Sequence, residues 1–329
     1  MGYRELKNKE DEKAKRIKRI LLFVFVGFLT ALLVFSFFYP PESWKYYFAL
    51  PKVGEGKEKE MRVHYLDVGQ GDCILIQLPD GKTMLVDGGG EGSATEKTVL
   101  RYLNALKIDV IDYLVITHSD NDHCGAIAEV VRMKTVLNAY LPATYEITSR
   151  CFAEAYAALS KTDCNLMTTN ATIDLSQRGE TPYTLSFLYP NMLDEEDEGN
   201  ESSSVFWLDY MGVSFLFTGD APMSVEEKLL AYDEMGLFKN KGVELSSTEI
   251  VKLGHHGSSQ SSSMEFLAYL HMDAAIVSCA KENAYGHPAD VVLDKLEIVG
   301  ANVYRTDEVG NIIVTVKQDG GYTVASVQN

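Results

Sequence analysis

The chain has little cysteine, and none of it is paired in sequence. Its five cysteines, Cys73, Cys124, Cys151, Cys164 and Cys279, include no CxxC spacing. An odd count in a chain of 329 residues argues against a disulfide framework. These cysteines are read instead as small buried hydrophobes. Basic residues are also scarce, 30 against 47 acidic ones, for a formal charge of −17. The imbalance is uneven. Residues 1–20 hold eight Lys/Arg and four Asp/Glu, so the remainder carries 22 basic and 43 acidic residues, a net of −21. A body this acidic does not draw polyanions in over long range, so any nucleic-acid reading needs local contacts or a metal. Histidine is sparse too: His64, His118, His123, His255, His256, His271 and His287 are all there are, with none between 123 and 255. No internal repeat of short period is present.

One long apolar run is present. Residues 20–39, ILLFVFVGFLTALLVFSFFY, carry no charge. As a helix they would span ~30 Å, about one hydrocarbon core. KAKRIKR precedes the run, and Trp44, Tyr46 and Tyr47 follow Pro40 and Pro41. The basic flank is expected to stay cytoplasmic and the aromatics to sit at an interface. The run is long for a signal peptide and no small-x-small cleavage site follows closely, so an uncleaved single-pass anchor is expected. The expected organisation is a basic cytoplasmic tail over 1–19, an anchor over 20–39, a linker over 40–60 and a globular domain over 61–329 beyond the membrane.

Within that domain, MRVHYLDVG and DCILIQL read as strands joined by a GQG turn, and KTMLVDGGG as a strand entering a glycine loop. EKTVLRYLNALKI has helical spacing at Val99, Leu100, Leu103 and Leu106. IDYLVITH is a buried-type strand, and CGAIAEVVRM the helix after it. A strand, a helix near 150–160 and two more strands are expected over 135–190, and a solvated loop over 193–204. VFWLDYM, VSFLFTGD, EIVKLG and AAIVSC read as strands, MSVEEKLLAY and SSMEFLAYL as helices. PADVVLDKLEIVG is expected to be a helix with Pro288 in its first turn. NIIVTVKQ and YTVASV form a closing hairpin. Runs of mixed strands with helices after each imply two stacked sheets with helices outside, an α+β architecture.

Several strands end in ionisable residues: Asp87 after MLV, His118 after LVIT, Asp220 after FLFTG, and His255 with His256 after IVKLG. Such groups on one sheet edge can converge on a cation. His118, Asp120, Asp122 and His123 fall within six residues, HSDNDH. They cannot share one face of a regular strand or helix and suit a tight loop around a metal.

This pattern resembles the metallo-β-lactamase fold superfamily, with Asp120 where a second histidine is usual. The finer resemblance is to the metallohydrolase domain of ComEC-type DNA-uptake proteins, carried by YLDVGQGDCILI, THSDNDHCGAI, FLFTGD, LGHHGSS and YGHP in that order. It covers roughly residues 61–317. Ala126 replaces a usual glycine, and the chain has one hydrophobic span rather than a multi-span pore. The resemblance implies a four-layer αββα sandwich and a metal set of His118, Asp120, Asp122, His123, Asp220 and His255, with His256 the alternative to His255. Asp87, with Asp67, is implied to orient loops. Asn200 and Ser202, or Glu201 between them, are the nearest substitutes for the missing middle histidine. A site this rich in oxygen implies one or two divalent ions, Zn²⁺ and/or Mn²⁺, one of them at a weaker position. Asp122 and Asp220 are implied in catalysis, and His287 in protonating a leaving group or holding a phosphate. With ions sharing Asp220, a water is activated and no serine or cysteine nucleophile is needed. The implied activity is a phosphodiesterase or nuclease acting outside the cytoplasm on DNA, with competence-type DNA-uptake components as possible partners. A phosphoester of a cell-envelope polymer such as teichoic acid, or a non-catalytic DNA- or polymer-binding module, are the alternatives. A true β-lactamase is least favoured, because the histidine set is depleted.

Overall fold

A computed structural model describes residues 2–38, 41–142, 149–191, 194 and 198–328. Two units divide the chain, Met1–Phe48 and Ala49–Asn329. The first consists of an α-helix, Tyr3–Phe38, and a 3₁₀ segment, Pro41–Tyr46. Its stretch Asp11–Phe37 is long and apolar enough to cross a membrane. Tyr39 and Pro40, and most of the acidic run 193–197, lie outside the described residues.

The second unit holds two sheets. The first contains β1 (Met61–Tyr65), β2 (Ile74–Gln77), β3 (Thr83–Val86), β4 (Val110–Val115), β5 (Thr135–Leu141), β6 (Asn165–Thr168), β13 (Asn311–Val316) and β14 (Tyr322–Val327). The second contains β7 (Thr184–Tyr189), β8 (Val205–Tyr210), β9 (Val213–Phe217), β10 (Ile250–Lys252), β11 (Ala274–Val277) and β12 (Asn302–Arg305). Their orders are β14-β13-β1-β2-β3-β4-β5-β6 and β12-β11-β10-β9-β8-β7. The period-2 alternation of strand side chains divides the cores. Along β8, Phe206 and Leu208 enter the core between the sheets, while Val205 and Trp207 enter the core against the outer helices. Phe206 stacks on Phe217 at 4.5 Å, and Phe217 on Tyr65 of the facing sheet at 6.3 Å. Helices Met223–Glu234, Met264–Leu270 and Asp290–Val299 cover the outer face of the second sheet through Leu229, Phe266 and Leu296. Helix Ser93–Ala105 brings the Tyr102 hydroxyl to His64 on β1, 2.9 Å away. The expected αββα sandwich is the observed fold.

Several local expectations need correcting. Residues 54–60 do not run free as a linker. Gly54 accepts a hydrogen bond from Arg62 and Lys59 pairs with Glu180 at 2.9 Å, so the segment lies on the body. Asn121–Cys124, expected as loop, closes one helical turn ahead of helix Ile127–Met133. Pro288 precedes its helix, which starts at Asp290. β12 and the short helix Thr306–Val309 had no clear sequence signal; NVYR is half-exposed and offers little alternation.

Within both sheets the parallel strands point their carboxyl ends at one region: β3 and β4 in the first, β9, β10 and β11 in the second. Two close approaches bring the loops there together. Gly71, at φ +123°, lies so near the Asp122 carbonyl that a Cβ would collide with it. Gly125 lies against the backbone of Gly89 and Gly90, and its N–H donates to the Gly89 carbonyl at 2.8 Å. Gly88 N–H in turn donates to the His123 carbonyl at 2.6 Å. Beneath these loops Lys252, at the end of β10, forms an ion pair with Asp72 from the β1–β2 turn. Both side chains are fully buried, so the pair ties one sheet to the other in a low-dielectric interior.

Gly125→Ala should destabilise the fold by about 3 kcal/mol, because the methyl meets backbone that cannot yield. Gly54→Ala, with open space around it, should be silent in the same urea titration. Equal unfolding midpoints would refute this packing. Replacing Lys252 or Asp72 alone by Ala should cost about 3–5 kcal/mol, since either change leaves a buried charge uncompensated. The double change Asp72→Leu with Lys252→Met should cost much less; single changes as mild as the double one would count against the pair.

Candidate metal centre

Asp87 organises the first half of the site. It follows β3 with φ +59°, a left-handed backbone that turns its carboxylate under β4. Its Oδ1 accepts from the Thr117 N–H at 2.8 Å and its Oδ2 from the Thr117 hydroxyl at 2.7 Å. The same Oδ2 lies 2.8 Å from His123 Nδ1. The Thr117 hydroxyl, having donated to Asp87, accepts from His118 Nδ1 at 3.1 Å. Both rings therefore carry their proton on Nδ1 and turn Nε2 inward. His256 reaches the same state from the other sheet, with Nδ1 donating to the Ser278 carbonyl at 2.9 Å.

The three Nε2 atoms converge on Asp220, which follows β9. His123 Nε2 is 3.2 Å from Asp220 Oδ1; His256 Nε2 is 3.4 Å and His118 Nε2 3.9 Å from Oδ2. Each of these nitrogens, with Asp220 Oδ1, is buried and lacks a hydrogen-bond partner. With the rings neutral, these four atoms are all acceptors facing one another, and a buried acceptor left unpaired costs about 1–3 kcal/mol, so the point favours positive charge, either protons on the rings or a metal cation. Asp122, His123, Asp220 and His256 offer ligand atoms that all lie within 4.8 Å of one another. Asp120 Oδ2 stands 3.7 Å from His118 Nε2 on the more exposed side. The donor set, imidazole and carboxylate without thiolate, fits a divalent ion.

Electrostatics point the same way. Burial opposes charge on His123, yet Asp220 and Asp87 outweigh it and raise its pKa well above the imidazole range. Burial likewise opposes charge on His256, and Asp220 and Asp122 override it. Asp220 is held well below the carboxylate range: its burial is outweighed by His256 and His123. His118 is depressed to about 3 by burial and by neighbouring His123. Without a cation, then, protons on two imidazoles neutralise the buried carboxylate. A divalent ion would take over that role and expel them.

The expected order of His255 and His256 differs from this geometry. His255 is partly exposed and its Nε2 is 3.8 Å from Asp220 Oδ2. Its Nδ1 accepts from the Asn200 amide at 3.4 Å, so the neutral ring carries its proton on Nε2, the nitrogen that faces Asp220. His256 is the member gathered into the four-ligand group. Asn200 thus stands against His255 rather than among those ligands. Ser202 donates its hydroxyl to the Gly199 carbonyl at 2.7 Å, while the adjacent Ser203 hydroxyl accepts from the Asp220 N–H at 3.2 Å. Asp67 accepts from Gly69 N–H at 3.3 Å, within its own turn. His287 stands at the rim, 5.5 Å from the His255 ring and 6.4 Å from that of His256. Burial first, then His255, lowers its pKa. Asp72, Thr117, Ser203 and Lys252 were not singled out from sequence. Asp72 sits in the quoted GQGD turn, but its partners Lys252 and His256 are far along the chain.

Comparison with known proteins bears on this arrangement. The family model described as "Metallo-beta-lactamase superfamily" matches residues 66–281, more than half of the chain. "ComE operon protein 3" of Bacillus subtilis is 28% identical over 272 residues, covering 77% of this chain and 33% of that protein. "Recombination protein 2" of Haemophilus influenzae is 30% identical over 262 residues, covering 78% of this chain and 29% of that protein. The chain thus spans about a third of the length of the curated relatives it matches. Among solved structures, the metallo hydrolase Igni18 from Ignicoccus hospitalis aligns with TM-score 0.44 and 15% identity, over 81% of this chain and 99% of that one. A family match that runs from the β1–β2 turn through Asp87, the HSDNDH turn, Asp220 and His256 takes in the whole donor cluster, and the chain belongs to the metallo-beta-lactamase superfamily as a metallo-hydrolase related to competence proteins.

Proposed function

We propose that this protein is a metal-dependent phosphodiesterase acting on nucleic acid outside the cytoplasm and held to the membrane by its N-terminal helix. The observation that carries the reading is the convergence of three buried, unpartnered imidazole nitrogens on Asp220. In this reading Asp122, His123, Asp220 and His256 would hold one divalent ion, and His118 and Asp120, with Asp220 nearby, would hold a second, weaker one whose oxygen-rich donors suit Mn²⁺. Bound there, divalent ions polarise a phosphoryl oxygen and lower the pKa of a water. Asp87, through Thr117 and His123, keeps both imidazoles in the tautomer that turns Nε2 inward. Burial and His255 lower the pKa of His287, which disfavours the imidazolium that protonating a leaving group would need and suits the ring to hydrogen-bond a phosphoryl oxygen. A module that binds without hydrolysing needs no ion-activated water, so metal-dependent turnover separates it from this reading. The likeness to competence proteins supports DNA as substrate, and the basic segment before the apolar helix supports a cytoplasmic N-terminus.

Purified full chain should hydrolyse bis-p-nitrophenyl phosphate with added Mn²⁺ or Zn²⁺, and Asp220→Asn should lower the rate by at least about 1,000-fold, the scale set by loss of a core electrostatic contact. Equal rates with and without metal would sink the enzyme reading; digestion of teichoic acid but not of single- or double-stranded DNA would move the substrate to the envelope. Ion binding should release protons, because His123 and His256 hold them in the metal-free state and must lose them to ligate. Affinity should therefore rise with pH, and calorimetry should give heats that change with the buffer's ionisation enthalpy. Heats independent of buffer would contradict this. His256→Ala should weaken ion binding more than about 100-fold, beyond what supporting residues contribute, and His255→Ala less than about 10-fold. The reverse order would make His255 the ligand.

A further inference from the structure

A ladder of rings leads out of the site. His256 neighbours His287 at 6.4 Å, and His255 neighbours it at 5.5 Å. Tyr285 continues the ladder, its ring nearly parallel to that of His287, at 5.7 Å and 23°. Tyr285 is 70% exposed, and it is the exposed large aromatic among the described residues of the unit Ala49–Asn329. The loop that carries it is braced. Asn283 Oδ1 accepts from the N–H groups of Tyr285 and His287, at 3.2 and 2.9 Å. Its Nδ2 donates to the carbonyls of Ala280 and His287, at 2.9 and 2.5 Å. Ala280 N–H is tied to Gln70 Oε1 at 3.3 Å, and Ala289 N–H to the Gly257 carbonyl at 2.9 Å, next to the histidine pair. The ring is thus presented at a set place beside the donor cluster, with little ordering left to be done on binding.

We propose that Tyr285 is a stacking platform for an unpaired nucleobase next to the phosphodiester at the metal centre, and that the substrate is single-stranded nucleic acid. The proposal rests on the phosphodiesterase reading above and narrows its substrate. An aromatic face held over a hydrophilic rim offers its partner dispersion and π-stacking, about 1–3 kcal/mol per base and tolerant of base identity. Bases within a duplex are stacked on their own neighbours, and reaching one costs a few kcal/mol of unstacking. A polyol-phosphate polymer has no π face to offer. The charge of the body strengthens the case. With a net of −21 on residues 21–329, long-range attraction for phosphates is absent, and an uncharged contact at the site supplies affinity that is not lost to that repulsion.

The test uses the full chain in detergent with a labelled single strand of about a dozen thymidylates and the same length of abasic strand. Binding is read by fluorescence anisotropy with EDTA, and KM with Mn²⁺. Tyr285→Ala should weaken binding of the thymidylate strand and raise its KM about 10-fold, which corresponds to ~1.4 kcal/mol of stacking. Tyr285→Phe, which keeps the ring, should stay within about twofold of the parent. The abasic strand should bind parent and both variants alike, and more weakly than the parent binds thymidylate. If the parent cleaves the thymidylate strand but Tyr285→Ala leaves Kd and KM unmoved, or the abasic strand binds as tightly, the stacking platform is refuted and the phosphodiesterase reading stands. If the parent neither binds nor cleaves either strand with any added ion, the nucleic-acid reading itself falls and the platform with it.

Discussion

A carboxylate sealed inside a protein must have positive charge beside it, and Asp220 is such a carboxylate. Only 2% of it is exposed, and it lies where the carboxyl ends of β3, β4, β9 and β10 meet. Its neighbours are imidazoles from both sheets. A set of hydrogen bonds behind the rings turns the same nitrogen of each inward. Asp87 and Thr117 do this for His118 and His123, and the Ser278 carbonyl does it for His256. The protons that two of these rings hold in the absence of an ion occupy the place of a cation in the charge balance.

The scaffold accepts this polar centre because its two sheets are joined twice over. Phe206, Phe215 and Phe217 stack in the apolar core between them, with Tyr65 reaching across from the first sheet. Under the site, where side chains are polar, the buried Lys252–Asp72 pair makes the connection instead. Loops then touch backbone to backbone at Gly71 and Gly125, which sets the HSDNDH turn at a distance no side chain would permit. A buried ion pair adds little net stability against an apolar one, but it fixes which groups face each other. Here that means the turn carrying Asp72 and the strand end from which the His255–His256 pair emerges.

Much of this was legible beforehand. Strand runs such as VFWLDYM and VSFLFTGD show the alternation or unbroken burial that two packed sheets impose, and Val99, Leu100 and Leu103 mark the buried face of a helix. Ionisable residues at successive strand ends announced the centre. β12 was missed because NVYR sits half-exposed at a sheet edge and has no periodic signal. The helical turn Asn121–Cys124 was hidden because a single turn of three polar residues and a cysteine is too short to carry an amphipathic pattern, and the turn is held by hydrogen bonds from the His123 and Cys124 N–H groups to the Asp120 carbonyl.

The sequence by itself determined the chemistry on offer: imidazoles and carboxylates at successive strand ends, no histidine between 123 and 255, and an acidic body. These are properties of composition and order, and no packing can alter them. Only the tertiary structure decided between neighbours of equal chemistry. His255 and His256 are both histidines with left-handed backbones, at φ 49° and 56°. They differ in what the rest of the chain holds against their Nδ1 atoms: an amide donor from Asn200 for one, the carbonyl acceptor of Ser278 for the other. Those partners lie 55 and 22 residues away. A tautomer is set by such contacts in space, so which of the two rings turns a bare Nε2 toward Asp220 is written in the fold and not in the motif.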